Sequence, residues 1–242
     1  MPEPKLEENV LKKLNEFRDE LKNIYAQGLV SVILYGSAAS GEFEDIHSNL
    51  NLLVVLKDTG LNELKRASGL MSKWKFRKVH PLFLTEEYIR SSNDVFPIEF
   101  LDMKENYWVL LGKDALKDLS VDAKNLRFQC EQELKAKLIA LRQEYLRNSK
   151  NNRLLLGAAL RILTPILHIL RNILRLKGKH PPYLKQDILK EAVLEFQINA
   201  DIWGRLLKAR NIRSGLKPAE AQYLFTGFVN DLEKIEASID KL

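Results

Sequence analysis

Apolar residues recur every three or four positions near the start of the chain, at Val10, Leu11, Leu14, Phe17, Leu21 and Ile24. That period predicts an amphipathic helix over Leu6–Gln27, with Gly28 as its C-cap. The pattern then changes. Val30–Tyr35 and Asn51–Leu56 are short runs of Val, Leu and Ile, which read as buried strands. Asn62–Lys73 reads as a helix and Lys78–Leu84 as a strand. A further helix starts at Thr85, whose hydroxyl is placed to cap it. Pro97 ends that helix, and Ile98–Met103 with Tyr107–Leu111 are expected to add strand. From Ser120 onward the pattern is helical only, over Val121–Asn148, Leu154–Leu176, Lys185–Ala209 (with a break near Ala200) and Pro218–Leu242. Gly and Pro punctuate the intervening stretches 177–182 and 213–218. The expected organisation is an α+β domain over residues 1–117, a small mixed sheet with flanking helices, followed by an all-α helical bundle domain over 118–242.

Composition narrows the picture. The chain has 242 residues, 45% of them hydrophobic and 29% charged, which suits packed cores and argues against disorder. A single cysteine, Cys130, allows no disulfide or thiolate metal site within one chain; it reads as a buried thiol in a protein of the reducing cytoplasm. The first residues are charged and lack an apolar leader segment, and the greasiest stretch, Leu154–Leu176, is interrupted by Arg161, Pro165, His168, Arg171 and Arg175. No membrane association is expected.

Charge is divided unevenly. Residues 1–119 carry 16 Lys and Arg against 19 Asp and Glu, whereas residues 120–242 carry 22 against 13. A basic second half suits a phosphate-bearing ligand, although solvated Lys/Arg faces are the commoner reason for such a balance. Nucleic acid is accordingly the least favoured partner. Arg161 and His168 lie seven apart with Pro165 between them; they read as a snorkelling arginine and a histidine at the core edge.

The chemistry-bearing stretch is Val30–Leu56, VSVILYGSAASGEFEDIHSNLNLLVVL. It runs strand, Gly36-Ser37 turn, polar loop, then a second strand entered through Ser48-Asn49-Leu50-Asn51. Residues i and i+2 of a strand face the same way, so Asn49 and Asn51 converge on one site while Leu50 and Leu52 enter the core. This layout resembles the nucleotidyltransferase superfamily that includes polymerase beta, kanamycin nucleotidyltransferase and the minimal nucleotidyltransferases. The resemblance covers roughly residues 30–112, and the helical second half is similar to that group's accessory domain.

The resemblance implies a nucleotidyltransferase-like fold in which Gly36, Ser37 and Ser48 serve nucleotide binding. In that superfamily two carboxylates spaced i, i+2 on the second strand bind divalent cations, and a third acid on a later strand completes the site. Here the pair is Asn49 and Asn51, degenerate metal positions, and the third acid is assigned to Glu99, with Asp102 the second choice. On the expected Ile98–Met103 strand these two point to opposite faces, so one of them can reach the site. An amide offers one neutral carbonyl oxygen where a carboxylate offers two charged ones, so Mg²⁺ loses its hard anionic ligands.

Three readings follow. In the first, the metal site is degenerate and the protein is weakly active or inactive, needs no cofactor, and retains binding of an NTP or other nucleotide, or of a protein partner. In the second, it is an active Mg²⁺-dependent enzyme moving a nucleoside monophosphate from NTP to a hydroxyl, with Glu99 as its clear acid and the loop acids Glu42, Glu44 and Asp45 as candidate helpers. In the third, the basic helical half binds nucleic acid.

Overall fold

The computed structural model describes residues 6–40, 49–74, 78–211 and 218–240. The chain divides into two compact units, Met1–Asp122 and Ala123–Leu242.

In the first unit, helix α1 (Glu8–Tyr25) buries Val10, Leu14, Phe17, Leu21 and Tyr25. Each such side chain removed from water contributes about 2 kcal/mol. The helix ends two residues earlier than its sequence suggests. Ala26 is the C-cap, at φ +46°, and Gly28 lies in the short 3-10 turn that follows. Strand β1 (Leu29–Tyr35) leads into the four-residue helix α2 (Ser37–Ser40), and β2 (Leu50–Leu56) returns antiparallel to β1. The next stretch, expected as one helix, is two: α3 (Leu61–Arg66) and α4 (Ser68–Trp74), separated at Ala67. Strand β3 (Val79–Leu84) pairs parallel with β2, and α5 (Glu86–Ser92) is capped by the Thr85 hydroxyl, which accepts from Tyr88 N–H at 3.0 Å. Helix α6 (Pro97–Glu105) and strand β4 (Tyr107–Gly112) complete the unit, with β4 antiparallel to β1. The sheet order is β3-β2-β1-β4.

The segment Ile98–Met103 is therefore helical, not a strand. Its buried residues are Ile98, Phe100 and Met103, and over so short a window the 98/100 alternation imitates a period of two. Pro97 at the first helical turn, with its φ preset, and the acidic Glu99 in that turn are the signals that decide it.

Side chains of the sheet alternate between two cores. Val32, Leu34, Leu50, Leu52 and Val54 pack with α1 and with Trp74 of α4, whose ring meets Phe17 edge-on at 5.2 Å between centroids. Ile33, Leu53 and Val55 face the other way, against Ile89 of α5 and Phe100 and Met103 of α6. At the outer edge, the Lys78 carbonyl accepts from Leu50 N–H at 2.8 Å, so alternation turns the backbone nitrogen of Pro81 away from β2.

The second unit is helical: α7 (Ala123–Asn148), α8 (Asn152–Leu176), α9 (Lys185–Phe196), α10 (Ala200–Asn211) and α11 (Pro218–Ile239). The break near Ala200 is made by Gln197, left-handed at φ +52°. Helix α8 packs against all four others. It is, among the described residues, the one helix long and apolar enough to cross a membrane, and it runs on through Pro165. Here its apolar face is turned into the unit's core, with Leu155, Leu163, Ile166, Leu170 and Ile173 buried. Arg161 and His168 are both exposed. Cys130 is buried on α7. Asp231 of α11 is 2% exposed; one of its oxygens accepts from Asn199 N–H at 2.8 Å and Trp203 Nε1–H at 3.1 Å, which ties the start of α10 to α11.

Candidate functional site

Strand β1 ends at Tyr35, and the chain turns sharply at Gly36, whose φ of +79° lies in the region that favours glycine. The Gly36 N–H donates to the Asn106 carbonyl at 3.1 Å, fixing the turn to the residue that precedes β4. Its carbonyl accepts from Ala39 and Ser40 N–H, both at 3.0 Å, and Ala38 plugs into the core beneath. Ser37 is half-buried at this turn.

The strands return three more residues to the same level. Tyr35 is in register with Asn51 on β2 and with Tyr107 on β4, and Asn51 is in register with His80 on β3. A single rung, Tyr107–Tyr35–Asn51–His80, thus crosses all four strands with its side chains on one face of the sheet. The next rung on that face contains Ile33 and Leu53, both fully buried. The polar rung therefore sits where the core gives way to solvent. Asn51 is half-buried, while Asn49 and His80 are exposed. A Cβ placed on Gly36 would lie 3.3 Å from Asn51 Nδ2, so the Asn51 carboxamide rests directly against the Gly36 turn.

The two tyrosines are tuned by their surroundings. Burial raises the Tyr35 phenol above its ordinary range. The Tyr107 phenol is pushed up to about 12, first by burial and then by its hydrogen bond to the Asp114 carboxylate at 3.0 Å. Both remain neutral hydroxyls at physiological pH.

The remaining sequence candidates are placed as follows. Asn49 directly precedes β2, two residues from Asn51. Ser48 and the loop acids Glu42, Glu44 and Asp45 lie outside the described residues. Glu99 is exposed on helix α6, so it has no register partner on the sheet. Because it is helical, Glu99 shares a face with Asp102 three residues on, whereas strand alternation had set the two on opposite faces.

Among the described residues, this corner offers little to the divalent cations that the resemblance implies. Asn49, Asn51 and His80 carry no carboxylate, and among the described residues no group of three or more His, Cys, Asp and Glu is arranged to hold a metal ion. Mg²⁺ requires anionic oxygen ligands that these side chains lack.

His80 is the site residue that sequence reading passed over. The Lys78–Leu84 strand itself was legible, but a parallel pairing through a long crossover has no turn to fix its register.

No protein-family model matches the chain, and no curated protein is similar to it in sequence. Among solved structures it is similar to the crystal structure of spectinomycin adenyltransferase AAD(9) from Enterococcus faecialis with ATP and spectinomycin. The TM-score is 0.59 at 11% identity, and the match covers 92% of this chain and 99% of that one. At that identity the likeness is one of fold, and the fold of this chain is nucleotidyltransferase-like.

Proposed function

From a nucleotidyltransferase-like fold in which amides stand at the metal positions, we propose that this chain is a nucleotide-binding protein with little or no transferase activity. The observation that carries the reading is the side chain of Asn51, seated on the Gly36 turn at the head of β2. The fold and the turn are kept there while the charge needed for metal catalysis is missing. Metal stabilisation of a transition state is typically worth several kcal/mol, and each ~1.4 kcal/mol is tenfold in rate. Losing both carboxylates therefore costs orders of magnitude in turnover. That the structural neighbour was solved with ATP supports a nucleotide as the ligand class.

In this reading Gly36 and Ser37 line the nucleotide pocket. Glu99, raised on α6, does not restore the missing charge by itself.

The test is ATP binding and turnover for the native chain and for Asn49→Asp combined with Asn51→Asp, each with and without Mg²⁺. The native chain is expected to bind ATP without measurable turnover, and the double variant to gain Mg²⁺ affinity. Turnover by the native chain at an enzyme-like rate, on the order of 1 s⁻¹ or more, would overturn the reading in favour of an active Mg²⁺-dependent transferase.

A further inference from the structure

A carboxylate pair cannot face a polyphosphate directly. Like charges repel, and a cation must stand between them. An amide pair is under no such constraint, because each carboxamide carries an NH₂ group that donates to phosphate oxygens. The same exchange that removes the metal ligands thus creates hydrogen-bond donors aimed at the same place. His80 extends this change. It is the register partner of Asn51 on β3, its side chain lies on the same face, and it is exposed. A neutral imidazole keeps one N–H donor in either tautomer. Asn49, Asn51 and His80, the described residues of this corner, therefore present donors and no carboxylate. It lies above a fully buried apolar layer at Leu53 and beside the Gly36 turn, against which Asn51 rests.

We infer that the Asn49–Asn51–His80 corner of the sheet binds the phosphates of a nucleotide directly, without a divalent cation, and that His80 is a phosphate-positioning residue. This rests on the nucleotide-binding reading above and adds to it the metal independence and the part played by His80. Bonds from these donors to phosphate are charge-assisted, the stronger class of hydrogen bond, so loss of one costs about tenfold in affinity. In a metal-bridged site Mg²⁺ would raise affinity by orders of magnitude. In a donor-only site it competes for the phosphates and leaves affinity unchanged or lower.

The experiment is calorimetric titration of the full chain with ATP and with adenosine, in EDTA and in Mg²⁺, for the native protein, His80→Ala, His80→Gln and Asn51→Asp. The expected results are ATP binding in EDTA at least as tight as in Mg²⁺, and weaker binding of adenosine. His80→Ala should weaken ATP about tenfold, and His80→Gln, which keeps an N–H donor, should recover most of that loss. Asn51→Asp should weaken ATP in EDTA by more than about tenfold and make its binding depend on Mg²⁺. Circular dichroism of each variant checks the fold, which an exposed histidine is not expected to disturb. ATP binding by the native chain only in Mg²⁺ overturns this inference and leaves the nucleotide-binding reading standing. Absence of ATP binding in both conditions overturns both. An unchanged affinity in His80→Ala removes His80 from the site and overturns the inference as stated.

Discussion

Asp231 offers a sharp test of how the helical unit is held together. Its carboxylate is 2% exposed, and a single oxygen, Oδ2, accepts from both Asn199 N–H at 2.8 Å and Trp203 Nε1–H at 3.1 Å. The other oxygen meets Lys234 at 2.9 Å, a lysine whose side chain is 55% exposed, so that ion pair contributes little. Asp231→Ala removes the acceptor of two hydrogen bonds to a charged group, each worth about 1.5–3 kcal/mol, and strands the donors. A loss of about 4 kcal/mol is expected. Asp231→Asn retains one carbonyl oxygen for the same two donors and loses only charge, which sets its cost at about 1–2 kcal/mol. Urea unfolding of the full chain, followed by far-UV circular dichroism and tryptophan emission, reads the difference. With a slope of about 2 kcal/mol per molar, the alanine variant should shift the helical unit's midpoint by about 2 M. Equal losses in the two variants, or an alanine loss under about 1 kcal/mol, would refute the account.

Three further predictions concern the sheet. A Cβ on Gly112, at φ +81°, would drive into the Val30 carbonyl oxygen and lie 3.2 Å from Ser31 Cα; both belong to backbone that cannot yield, so Gly112→Ala should cost more than about 3 kcal/mol in thermal unfolding. Gly36→Ala meets a milder obstacle, a positive φ and the Asn51 carboxamide at 3.3 Å, and should cost about 1 kcal/mol while weakening ATP binding. The Tyr107 phenol is raised from about 10 to about 12 by folding, so above pH 10 the unfolded chain loses its proton first and binds fewer protons than the folded one. The stability Tyr107 contributes is complete below pH 10 and declines as pH rises toward 12; Tyr107→Phe should make the stability–pH curve shallower over that window, and an unchanged slope would contradict it.

Much of the fold was legible in the sequence because most elements have strong periodicity or chemical punctuation. The α1 stripe, the runs of β1 and β2 and the Thr85 cap all stand where their patterns put them. The failures were of two physical kinds. In short windows the periods of helix and strand coincide, which is how Ile98–Met103 of α6 passed for a strand and carried Glu99 with it. Ala67 divides α3 from α4, and the Ser68-Gly69 pair beside it was read through as helix; Ala26, not Gly28, takes the positive φ that ends α1. At the candidate site, the meeting of Asn51 with the Gly36 turn joins two neighbouring strands close in sequence and was legible. The neighbourhood of Asn51 with His80, and of Tyr35 with Tyr107, arises from strand pairing, and no spacing along the chain encodes it.

Pro81 has a consequence for how this molecule meets others of its kind. Strand β3 borders the sheet, and an incoming strand would need donors along its open side. The ring nitrogen of Pro81 faces that side in the middle of the strand and has no hydrogen to offer. A visiting chain would find the hydrogen-bond ladder broken at its centre, with too few consecutive rungs to hold. The half-exposed Leu82 next to it can therefore remain at the border without turning the sheet into a template for polymerisation.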